Sequence, residues 1–307
     1  MEVVILKKLF KNGVIICGTI VVLTGCSNDG VNSKETNSKV IKIGDVLKSP
    51  HEHISYQISD DSDDDEKDQI FGKDTTIDYY IVSKNGKAKV YDGTGDTTLG
   101  EVSKMDTNEI KKRMKKEDKE YFDKDKKDTI EELQNDAQEI NDQISNEDEE
   151  SEDEEDNYKD YIKEHGNVPE KSIDKIKKVK YKEPKAQKIK VSIDTDDSGN
   201  STEEEKVKFY ENGFYTYDLD APDSVINEAI PVTATADYAS DIFTENNYDT
   251  TTQPTDIYDK KYAGLNYTDE DGDTYNLITE IGKKTKNVKL DGPKDKYVDK
   301  VDGHKND

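Results

Sequence analysis

The sequence predicts an α+β protein: two small β-hairpin-rich modules, one long helix, and an acidic disordered linker between the modules. Three observations carry this reading. Apolar, β-branched and aromatic runs broken by Asn-Gly pairs mark hairpins. The stretch from Asp106 to Ser145 contains neither Gly nor Pro and has apolar residues at spacings of three and four. Nine of the ten residues from Glu147 to Asp156 are acidic, and like charges in such a run repel and extend the chain. Apolar residues make up only 31% of the chain and charged residues 38%, too little apolar mass for one large core over the whole length.

Along the chain, residues 27–38 are small and polar, a flexible tether. Val40-Ile41-Lys42-Ile43 and Ile54-Ser55-Tyr56-Gln57-Ile58 read as short strands, and the acidic run Asp60–Asp68 as an exposed loop. Ile77–Tyr91 reads as a hairpin about Asn85-Gly86, with Ile81 facing Val90 and Tyr80 facing Tyr91. The helix follows, started by Asp106 or Thr107. Its stripe is Ile110 and Met114, then Ile130, Leu133, Ala137, Ile140 and Ile144. Packing of that stripe on the preceding hairpin is the leading expectation, and coiled-coil pairing with another chain the alternative.

Beyond the linker, Ile189–Ile193 alternates as a half-buried strand. Val207–Leu219 reads as a second hairpin about Asn212-Gly213. Ser224–Ala229 is a short helix candidate and Val232–Ala236 a strand candidate. Residues 244–260 read as loop, and Tyr262–Tyr267 with Tyr275–Ile281 as a third hairpin. The expected division is a leader over 1–25, a tether over 26–38, and a hairpin-plus-helix module over 39–145. The linker over 146–157, a β-rich module over 158–292 and a frayed tail over 293–307 complete it. Eighteen Tyr against six Phe and no Trp imply that Tyr supplies core mass as well as surface rings.

The first 25 residues differ in kind from the rest. Lys7, Lys8 and Lys11 form a basic start, and Gly13–Leu23 is an apolar run too short for a membrane span but long enough for a signal-peptide core. It ends in Leu23-Thr24-Gly25-Cys26, which resembles the bacterial lipobox. The resemblance implies cleavage by signal peptidase II before Cys26, recognition through Leu23, Thr24 and Gly25, and a diacylglyceryl group on the Cys26 thiol. The membrane at the outer face of the cell would then be a partner through diacylglyceryl-Cys26. Lys-rich, Arg-poor composition with a lipobox resembles lipoproteins of low-GC Gram-positive bacteria.

Cleavage would remove three Lys and one Glu from 45 basic and 71 acidic residues, leaving a formal net charge of −28. No nucleic acid is expected as a partner, because its backbone needs a basic face. With Cys17 removed and Cys26 acylated, neither a cystine nor a reactive thiol remains.

Candidate chemistry is sparse. Asp194, Asp196 and Ser198, then Gly199, Asn200 and Glu205, reproduce the EF-hand spacing, and calcium is the one cofactor this admits. The segment follows a strand, however, and Ser201 stands where that family has an apolar residue. Asp269, Asp271, Gly272 and Asp273 with Glu280 form a poorer version. His51 and His53 could share a strand face, two ligands where zinc takes three or four. Phosphate loop, nucleophile elbow and HExxH patterns are all missing, so no enzyme is expected. Lys171–Lys190 holds nine Lys and two acidic residues. Lys175, Lys177, Lys178, Lys180 and Lys182 are the candidate contact for an anionic wall polymer. The expected role is non-catalytic binding of an envelope protein or wall polymer. A calcium-binding surface module and a mobile-element-encoded exclusion lipoprotein are the alternatives.

Overall fold

The computed structural model describes residues 31–60, 71–145, 168–215, 237–268 and 273–303. Within them the fold is α+β. Its centre is a sheet built from β2 (His53–Asp60), β3 (Tyr79–Lys84), β4 (Lys87–Asp92), β5 (Gln187–Lys188), β10 (Thr255–Ile257), β11 (Lys260–Thr268) and β12 (Thr274–Ile281). They run in the order β10-β11-β12-β2-β3-β4-β5, with β9 (Thr250–Thr251) also on β11.

The expected first hairpin is present in the expected register. Asn85 and Gly86 have φ of 54° and 70°, the two positive values that a type I′ turn needs. Tyr80 pairs with Tyr91 and Ile81 with Val90. The third hairpin is also as expected, with Thr268 opposite Thr274.

Alternation divides the apolar residues of this sheet between two cores. One face carries Tyr56, Ile58, Tyr80, Tyr91, Tyr262 and Ile278 against α2 (Leu99–Val102) and the start of α3 (Thr107–Ser145). The other carries Ile81, Val90, Leu265 and Leu277 against α1 (Ile43–Leu47) and a second sheet. That second sheet has the order β14-β6-β7-β8, from Lys300–Gly303, Lys190–Thr195, Thr202–Tyr215 and Asp237–Tyr248. A two-stranded parallel pair joins β1 (Val40–Ile41) to β13 (Asn287–Val288).

Capping explains where the helices begin. The Thr98 hydroxyl accepts from the Glu101 N–H while Glu101 accepts from the Thr98 N–H, a capping box for α2. Asp106 accepts from the N–H groups of Asn108 and Glu109 at 2.7 and 2.9 Å and starts α3. Ile110 and Met114 pack on the hairpin side of the sheet as expected. The second half of α3 does not: Ile130 and Leu133 pack on Ile173 and Ile176 of α4 (Val168–Ile176) and on Phe214.

Several expectations need correction. Strands from the two expected modules share one sheet, since β12 pairs with β2 and β5 with β4. The line drawn at 146–157 therefore does not separate two sheets. Asn212-Gly213 makes no hairpin: β7 runs through it, with a register shift between Glu211 and Gly213 against β8. Ile43 begins α1 instead of extending β1. Residues 244–260 hold the end of β8, β9 and β10. The tether from residue 31 onward is docked, with Gly282 N–H donating to Thr36 O at 2.8 Å and Thr285 Oγ1 to Thr36 O at 2.8 Å. The tail is not frayed before residue 304. Strand β14 pairs in parallel with β6, and Asp299 accepts from the Val191 N–H at 3.0 Å and pairs with Lys48. The leader, the linker, the Asp61–Asp68 stretch and the candidates at 224–229 and 232–236 lie outside the described residues.

Gly264 marks a place where β11 and β12 meet without room to spare. A Cβ there would stand 1.8 Å from Leu277 O. Gly264→Ala should displace β11 and lower stability by about 2 kcal/mol or more, read as a lower urea midpoint at an unchanged slope.

Candidate functional site

The Lys-rich segment is held against α3 by its own non-lysine residues. Ile173 and Ile176 anchor α4 in a small apolar core with Leu133. The Lys126 ammonium then donates to Lys177 O at 2.9 Å and Val179 O at 2.8 Å, carbonyls just past the end of α4. The Tyr181 ring meets Phe122 edge-on at 5.7 Å, and its hydroxyl donates to Asp118 at 2.6 Å. Glu183 accepts from the Tyr91 hydroxyl at 2.7 Å and from Lys89 and Lys115. Those donors hold the Glu183 carboxylate down to about 2.

Exposure alternates across this segment. Val179 and Tyr181 turn inward, and Lys178, Lys180 and Lys182 face solvent, with Lys175 and Lys177 exposed beside them. None of Lys177, Lys178, Lys180 and Lys182 has a carboxylate partner among the described residues. Five positions chosen from composition thus fall on one ordered strip. The Phe122 and Tyr181 contact that orders it was not foreseen, although Phe122 stands four residues after Asp118 on the same helix face.

The calcium set is not assembled. In the β6–β7 pairing Glu205 stands opposite Ile193, and Asp194 opposite Glu204. Alternation then sends Glu205 to the same side as Val191 and Val207, fully buried, and Asp194 to the outer side, where it pairs with Lys206 at 2.7 Å. Asp196 accepts from the Ser198 hydroxyl and from the N–H groups of Asn200 and Ser201, an Asx-type turn with Gly199 at φ 68°. Glu280 is also engaged, with Lys260 at 3.4 Å, while Asp269, Asp271 and Gly272 lie outside the described residues.

Glu205 has a different partner. The Asp291 N–H donates to Glu205 Oε2 at 2.7 Å, and the Gly44 N–H donates to Asp291 Oδ2 at 2.9 Å. Both carboxyls are fully buried, and Glu205 Oε1 and Asp291 Oδ1 accept from no donor. Burial, and then each group's neighbouring carboxylates, pushes Asp291 up to about 6 and Glu205 well above its ordinary value. Lys42, the cation closest in effect, is committed to Asp295. Burial thus biases both carboxyls toward the protonated form. A second acidic pair, Asp92 and Asp118, follows the same logic: burial and its partner's charge push Asp92 up to about 8.

His53 is buried and His51 exposed. Burial lowers His53 to about 4, and its Nε2 has no hydrogen-bond partner. No group of three or more metal-type ligands occurs among the described residues. Leu23, Thr24, Gly25 and Cys26 lie outside them. No helix among the described residues is long and apolar enough to cross a membrane. Comparison with family models, with curated proteins and with solved structures finds no match.

The buried pair sets a pH dependence. Raised carboxyl values mean that the pair's contribution to stability is full below the ordinary carboxylate range and is lost as pH rises through the raised values, about 6 for Asp291. Glu205→Gln should therefore raise the melting temperature relative to the parent chain at pH 8 and change it little at pH 5. A thermal melt at the two values checks this; an equal shift at both would rule out ionisation of the pair as the cause.

Proposed function

We propose that this chain is a lipoprotein displayed at the outer face of the cell membrane through diacylglyceryl-Cys26. There it serves as a non-catalytic binding module for an anionic envelope polymer. The observation that carries the contact is the strip Lys177, Lys178, Lys180 and Lys182: exposed, ordered, and without carboxylate partners among the described residues. The lipobox over Leu23–Cys26 supports the anchor.

Electrostatics decides whether such a strip can work on so acidic a protein. At physiological ionic strength charges are screened beyond roughly 8 Å, so a polymer touching the strip responds to the local ammonium groups more than to the distant net charge. Each contact would release a counterion and make binding salt-sensitive.

Changing Lys177, Lys178, Lys180 and Lys182 together to Gln should reduce binding to isolated anionic wall polymer by at least about tenfold at low salt. Most of the salt dependence should vanish with it. All four side chains are exposed, so the fold should be unchanged by circular dichroism. Binding that survives the substitution would reject the strip as the contact.

A further inference from the structure

The docked tether creates a second basic surface that no stretch of the sequence displays. Backbone bonds bring residues 34–41 beside residues 282–289. Gly282 N–H donates to Thr36 O at 2.8 Å, Lys284 N–H to Asn37 Oδ1 at 3.1 Å, Lys286 N–H to Lys39 O at 2.9 Å, and Lys289 N–H to Ile41 O at 3.1 Å. The parallel pairing of β1 with β13 extends the join. Lys34, Lys39, Lys283, Lys284, Lys286 and Lys289 are all exposed on these two segments. None has a carboxylate partner among the described residues.

The nearby acids do not cancel this charge. Glu35 turns inward, its Oε2 buried and its charge directed at His51 and His53. Asp291 is buried, Asp295 is paired with Lys42, and Asp45 is half-buried, with Lys34 as one of its charged neighbours. Val40, an apolar side chain 41% exposed, lies on the same two-stranded edge.

We propose that this face lies against the bilayer and binds its anionic phospholipid headgroups. The inference rests on the lipid anchor proposed above, and two physical points commit the face to a membrane. Cys26 is five residues before Val31, the first described residue. Five fully extended residues reach at most about 18 Å, so the surface carrying residues 31–41 cannot be far from the headgroups. The charge pattern then selects orientation. A lysine close to an anionic bilayer adds roughly fivefold to partition, whereas the acidic remainder of a chain of net charge −28 after processing is repelled. Attraction on one face and repulsion elsewhere hold the body in one pose.

The test uses the full chain, processed in bacteria and reconstituted into vesicles of phosphatidylcholine alone or with phosphatidylglycerol added. Lysine acylation by a water-soluble reagent is followed residue by residue by mass spectrometry. Lys34, Lys39, Lys283, Lys284, Lys286 and Lys289 should label at least about threefold more slowly on the anionic vesicles. High salt should remove that protection, and Lys177 and Lys180 should label equally on both. Equal labelling of the six on the two vesicle types overturns the proposal. Protection by soluble polyphosphate without protection by anionic vesicles also overturns it, by assigning the face to a polymer. The same spectra read the mass of the Cys26 peptide. An unacylated Cys26 defeats the anchor reading and this proposal with it, whereas an acylated Cys26 with six unprotected lysines defeats the face alone.

Discussion

The fold depends on the pairing of β2 with β12, over which Ser55 meets Thr279 and Ser59 meets Tyr275. More than two hundred residues separate the partners, so closing that loop costs entropy before any contact is gained, although the cost grows only slowly with length. What offsets it is burial on both faces at once. Tyr56 and Ile58 of β2 point to the core shared with α2 and α3, and Leu277 of β12 to the core shared with the second sheet. Without this pairing the sheet would split into β2-β3-β4-β5 and the β9–β12 strands, and each part would lose what the other contributes to the two cores. The docking of residues 31–41 on residues 282–289 would also lose its frame.

A core made from tyrosine brings carboxylates inward. Tyr56, Tyr80, Tyr91, Tyr248 and Tyr262 are fully or almost fully buried, and a buried hydroxyl without a partner is costly. Tyr80 donates to Glu117 at 3.0 Å, Tyr91 to Glu183 at 2.7 Å and Tyr248 to Gln57 at 2.9 Å, while Tyr262 receives a bond from Ser103. This explains how so polar a helix as α3 packs at all. Its buried face is a mixed one, Ile110, Met114 and Phe122 interleaved with Glu117 and Asp118. The carboxylates on that face serve the hydroxyls of the sheet and of the Lys-rich segment. The same packing leaves half-buried Asp92 beside buried Asp118, where burial raises both carboxyls above their ordinary range.

Local signals were legible and distant ones were not. Asn85-Gly86 and the apolar run around it name a hairpin, its register and its facing pairs, because turn and strands lie within fifteen residues. Asn212-Gly213 carries the same dipeptide between aromatic residues, yet it becomes a bulge, because β8 offers β7 a longer partner than a tight turn could. The parallel pairs β1–β13 and β14–β6 leave no periodic mark, so the tether and tail read as loose. For the candidate calcium set, a test by strand parity was available in the sequence. Glu205 is in phase with Val207 and Phe209, the buried side of β7, whereas Asp194 is out of phase with Val191 and Ile193. An EF-hand spacing read across a strand–turn–strand puts its first and last ligands on opposite faces. The Lys-rich strip is contiguous in the sequence, and its order comes from Phe122, Lys126 and Asp118 on a helix that precedes it.

The docking of the tether also changes how a lipid anchor would present this molecule. A flexible tether over 26–38 would let the body drift from the bilayer, and reach would come from the linker. With residues 31–41 held in the body, reach has to come from the folded part itself. Helix α3 is 39 residues long, about 58 Å at 1.5 Å per residue. Its first turns sit on the central sheet, the Lys-rich strip lies along Asp118–Lys126, and the turns after that carry α4. On the proposed anchoring, one set of lysines is tied close to the headgroups by a short chain. The other is held on a different segment, along Asp118–Lys126 of α3, by the contacts of Tyr181, Lys177 and Val179. Two basic patches built on different segments of one acidic protein can then serve two different anionic surfaces.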